Sequence, residues 1–229
     1  MKKVLLTLTL SSLLAAPVMA DTTPKTEEDR LSYSLGLIMG QRLQQDFENL
    51  DVDMLAQAIK DTYAGDLKMT EAEVRETMQA FQQKKMLEQQ EAQAKAAEAN
   101  LKAGQKFMKE NGKKKGVVTT ESGLQYQVLT AGSGAKPALT DQVKVHYEGK
   151  LLNGEVFDSS YKRGEPVTFG LNQVIPGWQE GLQLMSVGSK WKIFIPSDLA
   201  YGPGGTGGPI GPNETLIFEV ELLEINPES

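Results

Sequence analysis

The chain has 229 residues, a formal net charge of −6 at pH 7 and no cysteine. The acidic balance argues against nucleic acid and anionic membranes as partners, because both need a basic surface. The lack of cysteine excludes disulfides and a lipid anchor on an N-terminal cysteine, and in an exported chain it is typical of a bacterial periplasmic protein.

Residues 1–20 have the pattern of a secretory signal peptide. Lys2 and Lys3 precede the apolar run VLLTLTLSSLLAA, and small or medium side chains at residues 18–20 predict cleavage near Ala20. The apolar run is too short for a membrane span, and no later segment has the roughly 18 to 20 apolar residues that a span needs. Cleavage removes two of the 24 basic residues, so the mature chain has 22 basic and 30 acidic residues and a net charge of −8. We therefore expect a periplasmic protein without a membrane span.

Residues 21–69 predict an N-terminal helical domain. A capping box, Thr26 followed by Asp29, starts the first helix, and a second helix runs from about Met54 to Ala64 before the stop signal Gly65. Two helices this short bury little by themselves, so the domain is expected to form a homodimer. Methionines recur through the helical region, which indicates either simple core filling or a dimer interface that also offers a groove to non-native polypeptide.

Residues 70–115 predict one long connecting helix. It starts at a second capping box, Thr70 and Glu73, and continues to about Asn111, a length of roughly 60 Å at ~1.5 Å per residue. Residues 82–103 are strong helix formers with almost no apolar stripe, which is typical of a spacer that crosses solvent. The alternative is a disordered charged linker.

Residues 116–229 predict an α+β domain, in which an antiparallel sheet of about five strands wraps on one short helix. The strand candidates are LQYQVL (124–129), QVKVHYEGKLL (142–152), EVFD (155–158), KWKIFI (190–195) and TLIFEVELLEI (215–225), and the helix candidate is GWQEGLQLM (177–185). The turn Asn153-Gly154 is a strong hairpin signal between the second and third strands.

Residues 195–213, IPSDLAYGPGGTGGPIGPN, form a loop that we call the flap loop. It holds six glycines and four prolines between two predicted strands. Loops of this length inside compact domains are usually binding loops, lids or disordered segments. We expect this one to cover an apolar concavity of the kind that binds small molecules or peptides.

The C-terminal domain has few residues suited to nucleophilic, metal or phosphate chemistry. His146 is the only histidine of the chain, so with no cysteine it cannot form a plausible zinc cluster. No glycine-rich segment ends in the Gly-Lys-Ser/Thr of a phosphate loop, and no serine has the context of a nucleophile elbow. No cofactor or metal is expected.

Three segments resemble the FKBP-type peptidyl-prolyl cis/trans isomerases: VHYEGKLLNGEVFDSS, VIPGWQEGLQLMSVGSKWKIFIPSDLAYG and TLIFEVELLEI. The resemblance covers residues 117–226, and the whole layout is similar to the dimeric periplasmic subgroup of the macrophage infectivity potentiator and FkpA. It implies isomerisation of X-Pro bonds in exported polypeptides, help in their folding, a homodimer through the N-terminal helices, and binding of tacrolimus or rapamycin.

The resemblance also implies a proline pocket with Trp178 as its floor. The surrounding residues would be Tyr147, Phe157, Val174, Ile175, Tyr201, Ile210 and Phe218. The Ile175 N–H and the Tyr201 hydroxyl would donate to carbonyls of the bound chain. Asp158 would lie near the twisting amide, and Arg163 would position Asp158.

Two other functions fit parts of the sequence. One is a dimeric chaperone whose FKBP-like domains grip chains without meaningful catalysis. The other is a coiled-coil adaptor, which the sequence disfavours because the long helix has no sustained apolar seam. The sequence also departs from some relatives at Val167, where they have an aromatic ring, and at Thr206 and Pro209 in the flap loop.

Overall fold

The structure is a computed structural model that describes residues 23–47 and 49–227. The predicted signal peptide, residues 1–20, lies outside the described residues. The chain divides into two compact units, the first ending at Arg75 and the second beginning at Glu76. None of the described helices is long and apolar enough to cross a membrane.

The first unit contains helices α1 (Glu27–Asp46) and α2 (Val52–Ala64). The predicted capping box is present: the Asp29 N–H donates to Thr26 Oγ1 at 3.0 Å, and the Thr26 N–H donates to Asp29 Oδ2 at 3.1 Å. Helix α2 ends at Gly65, whose φ of 70° is the left-handed conformation that glycine adopts without strain. Neither helix buries a single described residue within the chain.

Helix α3 runs from Glu71 to Asn111 and extends from the first unit into the second. The predicted long helix is therefore present, and the alternative of a disordered linker is wrong. Thr70 and Glu73 cap its start, since the Thr70 N–H donates to Glu73 Oε2 at 2.8 Å.

The last part of α3, which follows the predicted spacer of residues 82–103, docks on the sheet. Gly104 and Asn111 are buried, and the Phe107 ring lies 5.7 Å from the ring of Phe194. The Gln125 side chain accepts a hydrogen bond from Asn111 at 3.0 Å and donates one to the Met108 carbonyl at 2.8 Å. Within the second unit, the C-terminal end of the helix thus packs on the sheet through Gly104, the Phe107 ring and amide side chains rather than through a continuous apolar stripe.

The sheet is antiparallel throughout and has seven strands in the described residues, in the order β1-β2-β6-β7-β3-β4, with β5 pairing β3 beside β4. The strands are β1 (Val117–Thr119), β2 (Gln125–Thr130), β3 (Gln142–Lys150), β4 (Val156–Ser159), β5 (Val167–Gly170), β6 (Lys190–Ile195) and β7 (Leu216–Ile225). Two helices interrupt them, the single turn α4 (Ser160–Arg163) and α5 (Pro176–Leu184). The predicted α+β class is confirmed, while β1, β5 and α4 add to the five strands and one helix that the sequence predicts.

Helix α5 packs on the sheet face that carries the buried side chains of alternate strand residues. Gly177 lets it approach closely, because a Cβ at this position would lie 2.4 Å from Ile195 Cγ2. Trp178, Leu182 and Ile193 are buried in the resulting core. Trp178 in the first turn of α5 contacts Tyr147 of β3 and Phe218 of β7, and the cavity described below lies there.

Candidate functional site

A cavity of about 310 Å³ lies between the start of α5 and the sheet. Its lining consists of aromatic and aliphatic side chains with one carboxylate and one amide: Tyr147, Phe157, Asp158, Phe169, Gln173, Val174, Ile175, Trp178, Tyr201 and Phe218. A concave apolar site with few polar groups is the usual form of a binding site for small molecules and peptide side chains.

Trp178 lies at the floor of the cavity and is only 4% exposed. Three rings meet its indole edge-to-face, with centroid distances of 5.2 Å to Tyr147, 5.7 Å to Phe169 and 5.2 Å to Phe218. Such perpendicular pairs are favourable for aromatic rings and hold each other in place. The floor is therefore preformed before any ligand enters.

The strand register explains how these rings converge. Side chains alternate along β3, so Tyr147 and Gly149 face the core together, and Gly149 pairs with Phe218 on β7. A Cβ at Gly149 would lie 2.6 Å from the Phe157 ring and 2.7 Å from the Phe218 ring. The missing side chain at Gly149 leaves the space that these two rings fill.

One edge of the cavity is polar. The Tyr147 hydroxyl donates to Asp158 Oδ2 at 2.5 Å, and Arg163 donates both to Asp158 Oδ1 and, at 2.9 Å, to the Tyr147 hydroxyl oxygen. Burial alone would raise the pKa of Asp158, but the hydrogen bonds from Tyr147 and Arg163 outweigh it and hold the pKa below its ordinary value. Burial and the bond to Asp158 raise the pKa of the Tyr147 phenol. At neutral pH the cavity therefore presents a fixed carboxylate beside a neutral phenol.

Local chain geometry places these polar groups. The predicted hairpin turn at Asn153-Gly154 is present, with φ of 90° at Gly154, and it returns β4 alongside β3. Helix α4 then turns Arg163 back toward Asp158. The buried Ser160 hydroxyl accepts from the Tyr147 N–H at 2.8 Å and so ties α4 to β3.

Three groups at the cavity wall have no hydrogen-bond partner among residues 23–47 and 49–227. They are the Ile175 N–H, the Tyr201 hydroxyl and the buried indole N–H of Trp178. Tyr201 is 44% exposed and lies at the mouth of the cavity. Free donors beside an apolar cavity suit recognition of the carbonyl groups of a bound chain.

The structure brings eight of the ten residues expected at the pocket to this cavity. Arg163 lies behind the wall and contacts it through Asp158 and Tyr147. Ile210 is buried in the same core cluster as Tyr147 and Trp178 and borders a second cavity between the flap loop and α3, so its place in the proline pocket stays a prediction. The catalytic and binding roles of all ten residues stay predictions.

The sequence analysis missed Phe169 and Gln173, which also line the cavity. Phe169 lies on β5, a strand of four residues, and its partner β3 is shared with β4. The only sequence pattern that indicates β5 is the alternation Val167-Thr168-Phe169 after Pro166. Gln173 lies in a single 3₁₀ turn that has no sequence signature.

His146 lies on the opposite face of β3 from Tyr147, as the alternation predicts. Its Nδ1 is 2.9 Å from the Ser160 hydroxyl, and its ring stacks on Tyr161 with a centroid distance of 4.6 Å. These contacts give the histidine a structural role outside the cavity.

Comparison with known proteins gives consistent matches over both units. The family model described as "FKBP-type peptidyl-prolyl cis-trans isomerase" matches residues 133–223, and the model for the domain amino-terminal to it matches residues 28–128. The "Outer membrane protein MIP" of Legionella longbeachae is 43% identical over 229 residues, 98% of each chain. The "FKBP-type 22 kDa peptidyl-prolyl cis-trans isomerase" of Escherichia coli is 48% identical over 89% of this chain and 99% of its own. The crystal structure of FkpA from E. coli superposes with a TM-score of 0.77 at 39% identity, covering 90% of this chain and 99% of that one.

Proposed function

The chain belongs to the FKBP-type peptidyl-prolyl cis-trans isomerases, and from this premise we propose that it isomerises X-Pro bonds of exported proteins in the periplasm and assists their folding. The observation that carries the proposal is the preformed aromatic cavity, whose wall holds donors that have no partner in the described part of the chain. The full-length match to a relative named as an outer membrane protein supports a location in the cell envelope.

Isomerisation about an X-Pro bond needs no nucleophile and no proton transfer. The barrier of about 20 kcal/mol arises because rotation breaks the resonance of the amide. The planar amide is more polar than the twisted one, so a cavity that excludes water favours the twisted state relative to the planar one. On this proposal the prolyl ring packs over Trp178 among the aromatic walls.

The polar groups then hold the twisted chain. The Ile175 N–H and the Tyr201 hydroxyl donate to carbonyls that flank the proline, and the Asp158 carboxylate lies beside the rotating amide. Arg163 and Tyr147 fix that carboxylate in one orientation, so it does not reorganise during the rotation. Tacrolimus and rapamycin are expected to occupy the same cavity.

The first test is the exchange rate between the cis and trans forms of a short X-Pro peptide, measured by NMR with a trace of the mature protein. We expect faster exchange that tacrolimus abolishes. If the folded protein binds the peptide but does not accelerate exchange, the cavity only binds polypeptide. The protein would then be a chaperone without isomerase activity.

The exposed helices of the first unit support a second activity, the holding of unfolded chains by a homodimer. Ile38 on α1 is 66% exposed and Leu35 is 53% exposed, and Met54 and Met69 border an apolar cavity of about 470 Å³. Exposed apolar side chains that cluster on one surface are typical of protein-binding sites. We propose that part of this surface forms the dimer and that the rest contacts non-native polypeptide.

A fragment that begins at Glu76 separates the two activities. We expect it to keep isomerase activity on short peptides, because the whole second unit remains. Suppression of aggregation of an unfolded client protein should fall sharply. Full suppression by the fragment would contradict the role given to the first unit.

A further inference from the structure

Helix α3 contacts the end of the flap loop through two reciprocal amide hydrogen bonds. Asn100 Nδ2 donates to the Pro212 carbonyl at 2.9 Å, and Asn213 Nδ2 donates to the Ala97 carbonyl at 3.2 Å. We call this pair of bonds the amide clamp. Both asparagines are partly buried, and both bonds connect residues more than one hundred positions apart in the sequence.

The backbone of Asn213 hydrogen-bonds to Gly202, the residue that follows Tyr201. Its N–H donates to the Gly202 carbonyl at 2.9 Å, so the end of the flap loop is tied to its beginning. Asn213 has φ of 54°, a left-handed conformation that asparagine tolerates better than most residues. Two successive hydrogen bonds therefore connect Ala97 on α3 to Asn213 and Asn213 to Gly202. Gly202 directly follows Tyr201, which lines the cavity.

A close approach of backbone and side chain lies one turn further along the helix. Gly104 faces Thr215, just before β7, and a Cβ at residue 104 would lie 2.3 Å from Thr215 Oγ1. Closer to the C-terminal end of α3, Gln125 of β2 is hydrogen-bonded to the Asn111 side chain and to the Met108 carbonyl. The α3 residues that make these contacts are three or four positions apart, so they lie on one face of the helix. They are Ala97, Asn100, Gly104, Met108 and Asn111. The last four turns of α3 are thus fixed to the sheet near Asn111 and to the flap loop near Asn100.

The flap loop needs such support, because its glycines make it costly in entropy to hold in one conformation. Apart from the Asn213–Gly202 bond, its internal hydrogen bonds are local. The Leu199 and Ala200 N–H groups donate to the Pro196 and Ser197 carbonyls, the Thr206 N–H and hydroxyl donate to the Ile210 carbonyl at 2.9 and 3.3 Å, and the Gly205 N–H lies 3.4 Å from the Gly202 carbonyl. A loop held only by these would let Tyr201 move away from the cavity. A docked helix supplies rigid attachment points from outside the loop.

We propose that α3 is part of the isomerase site, with Asn100 and Asn213 as positioning residues that hold Tyr201 at the cavity through the amide clamp. The inference rests on the proposed function insofar as Tyr201 donates to the bound chain. It assigns to the helix before the sheet domain a role in setting the rate on X-Pro peptides, in addition to its role as a connection between the two units.

The test uses Asn100→Ala in the full-length protein, with Gln89→Ala as the matched control. Both changes replace an amide by alanine on α3 and both favour the helix, so loss of helix is not expected from either. Gln89 is exposed and makes no hydrogen bond among the described residues. The first readout is hydrogen exchange at the Thr206 and Asn213 amides, which is independent of activity.

In Asn100→Ala we expect these two amides to exchange roughly three to ten times faster, as the loss of one net hydrogen bond implies, while amides of β6 and β7 keep their rates. Gln89→Ala should match the wild type. Unchanged exchange at Thr206 and Asn213 would overturn the clamp, whether or not the protein is an active isomerase.

The second readout tests the route through Tyr201. Asn100→Ala should lower kcat/KM on a short X-Pro peptide by roughly three- to tenfold in the wild-type background and have little effect in a Tyr201→Phe background. Equal effects in both backgrounds would overturn the proposed route. A wild-type protein without isomerase activity would refute the proposed function, and hydrogen exchange alone would then decide on the clamp.

Discussion

Among the described residues, the Asp158 carboxylate accepts side-chain hydrogen bonds from Tyr147 and Arg163, and the Tyr201 hydroxyl at the mouth of the cavity has no hydrogen-bond partner. If both act on the bound chain, Asp158→Asn and Tyr201→Phe should each lower kcat/KM on a short X-Pro peptide by roughly tenfold, the value of about one net hydrogen bond. NMR exchange measurements give the rate. Tyr161→Phe is the matched control, because the Tyr161 hydroxyl contacts Glu221 outside the cavity. Wild-type rates in both cavity variants would refute the polar part of the mechanism.

The pKa of Asp158 also predicts a pH profile. Because hydrogen bonds from Tyr147 and Arg163 lower this pKa below the ordinary 3.8, the carboxylate persists through the mildly acidic range. Its contribution to stability is present above the unfolded pKa and is lost as the pH falls through the lower folded value. We expect kcat/KM to stay level from neutral pH to about pH 5 and to fall only below about pH 4, measured in one buffer series. A fall centred near pH 6 would show that another group controls the rate.

At the level of single residues, the resemblance to the family supplied the expected pocket residues, and the sequence patterns alone place only those that lie on long strands or on α5. Trp178 follows a helix-starting proline, and Tyr147 and Phe218 lie on long alternating strands. The direction of the Ile210 side chain could not be predicted from the sequence, because its loop has no periodicity. Phe169 was missed because a strand of four residues is too short for alternation to be distinctive.

At the scale of elements, the docking of α3 depends on the absence of a side chain at Gly104. Gly104→Ala should favour the isolated helix by up to about 1 kcal/mol but destabilise the second unit by roughly 1–3 kcal/mol, since the new Cβ meets Thr215 Oγ1. Differential scanning calorimetry measures the loss. Thr215→Ala removes the atom in contact, so the double variant should recover much of the stability. If Gly104→Ala lowers the stability equally in the wild-type and Thr215→Ala backgrounds, the close contact between residues 104 and 215 would be contradicted.

The same contact explains why the sequence predicted the existence of α3 but not its environment. Helix propensity and the capping box depend on neighbours in the chain, and they gave correct ends. Burial was predicted from apolar periodicity, and this face uses Asn100, Gly104 and Asn111 instead. Amide and glycine residues that dock a helix look, in sequence, like the polar surface of a spacer. In the sheet, the long strands were recognised, whereas β1 and β5 are three and four residues long.

At the scale of the whole molecule, the apolar face of α1 predicts self-association. Leu35→Glu combined with Ile38→Glu places two charges on this face, and we expect a shift from dimer to monomer in sedimentation velocity. Activity on a short X-Pro peptide should change less than twofold, because the cavity lies wholly in the second unit. A dimer that persists in this variant would place the interface elsewhere.

Loss of the proposed dimer should also weaken the proposed chaperone activity. Suppression of client aggregation requires a surface that contacts several segments of one chain, and two copies of the apolar cavity beside Met54 and Met69 offer that in a dimer. The Leu35→Glu and Ile38→Glu variant is therefore expected to delay aggregation less than the wild type at equal chain concentration. An unchanged delay would separate holding from dimerisation.

The two tryptophans of the chain have different surroundings, so their intrinsic fluorescence can report on the cavity. Trp178 forms the cavity floor, whereas Trp191 stacks on Tyr126 at a centroid distance of 4.3 Å and does not line the cavity. A ligand that covers the floor should alter the emission of Trp178 and leave that of Trp191 as an internal reference. Occupancy of the site can therefore be followed by intrinsic fluorescence in unlabelled protein, with a Trp191→Phe variant isolating the signal of the floor.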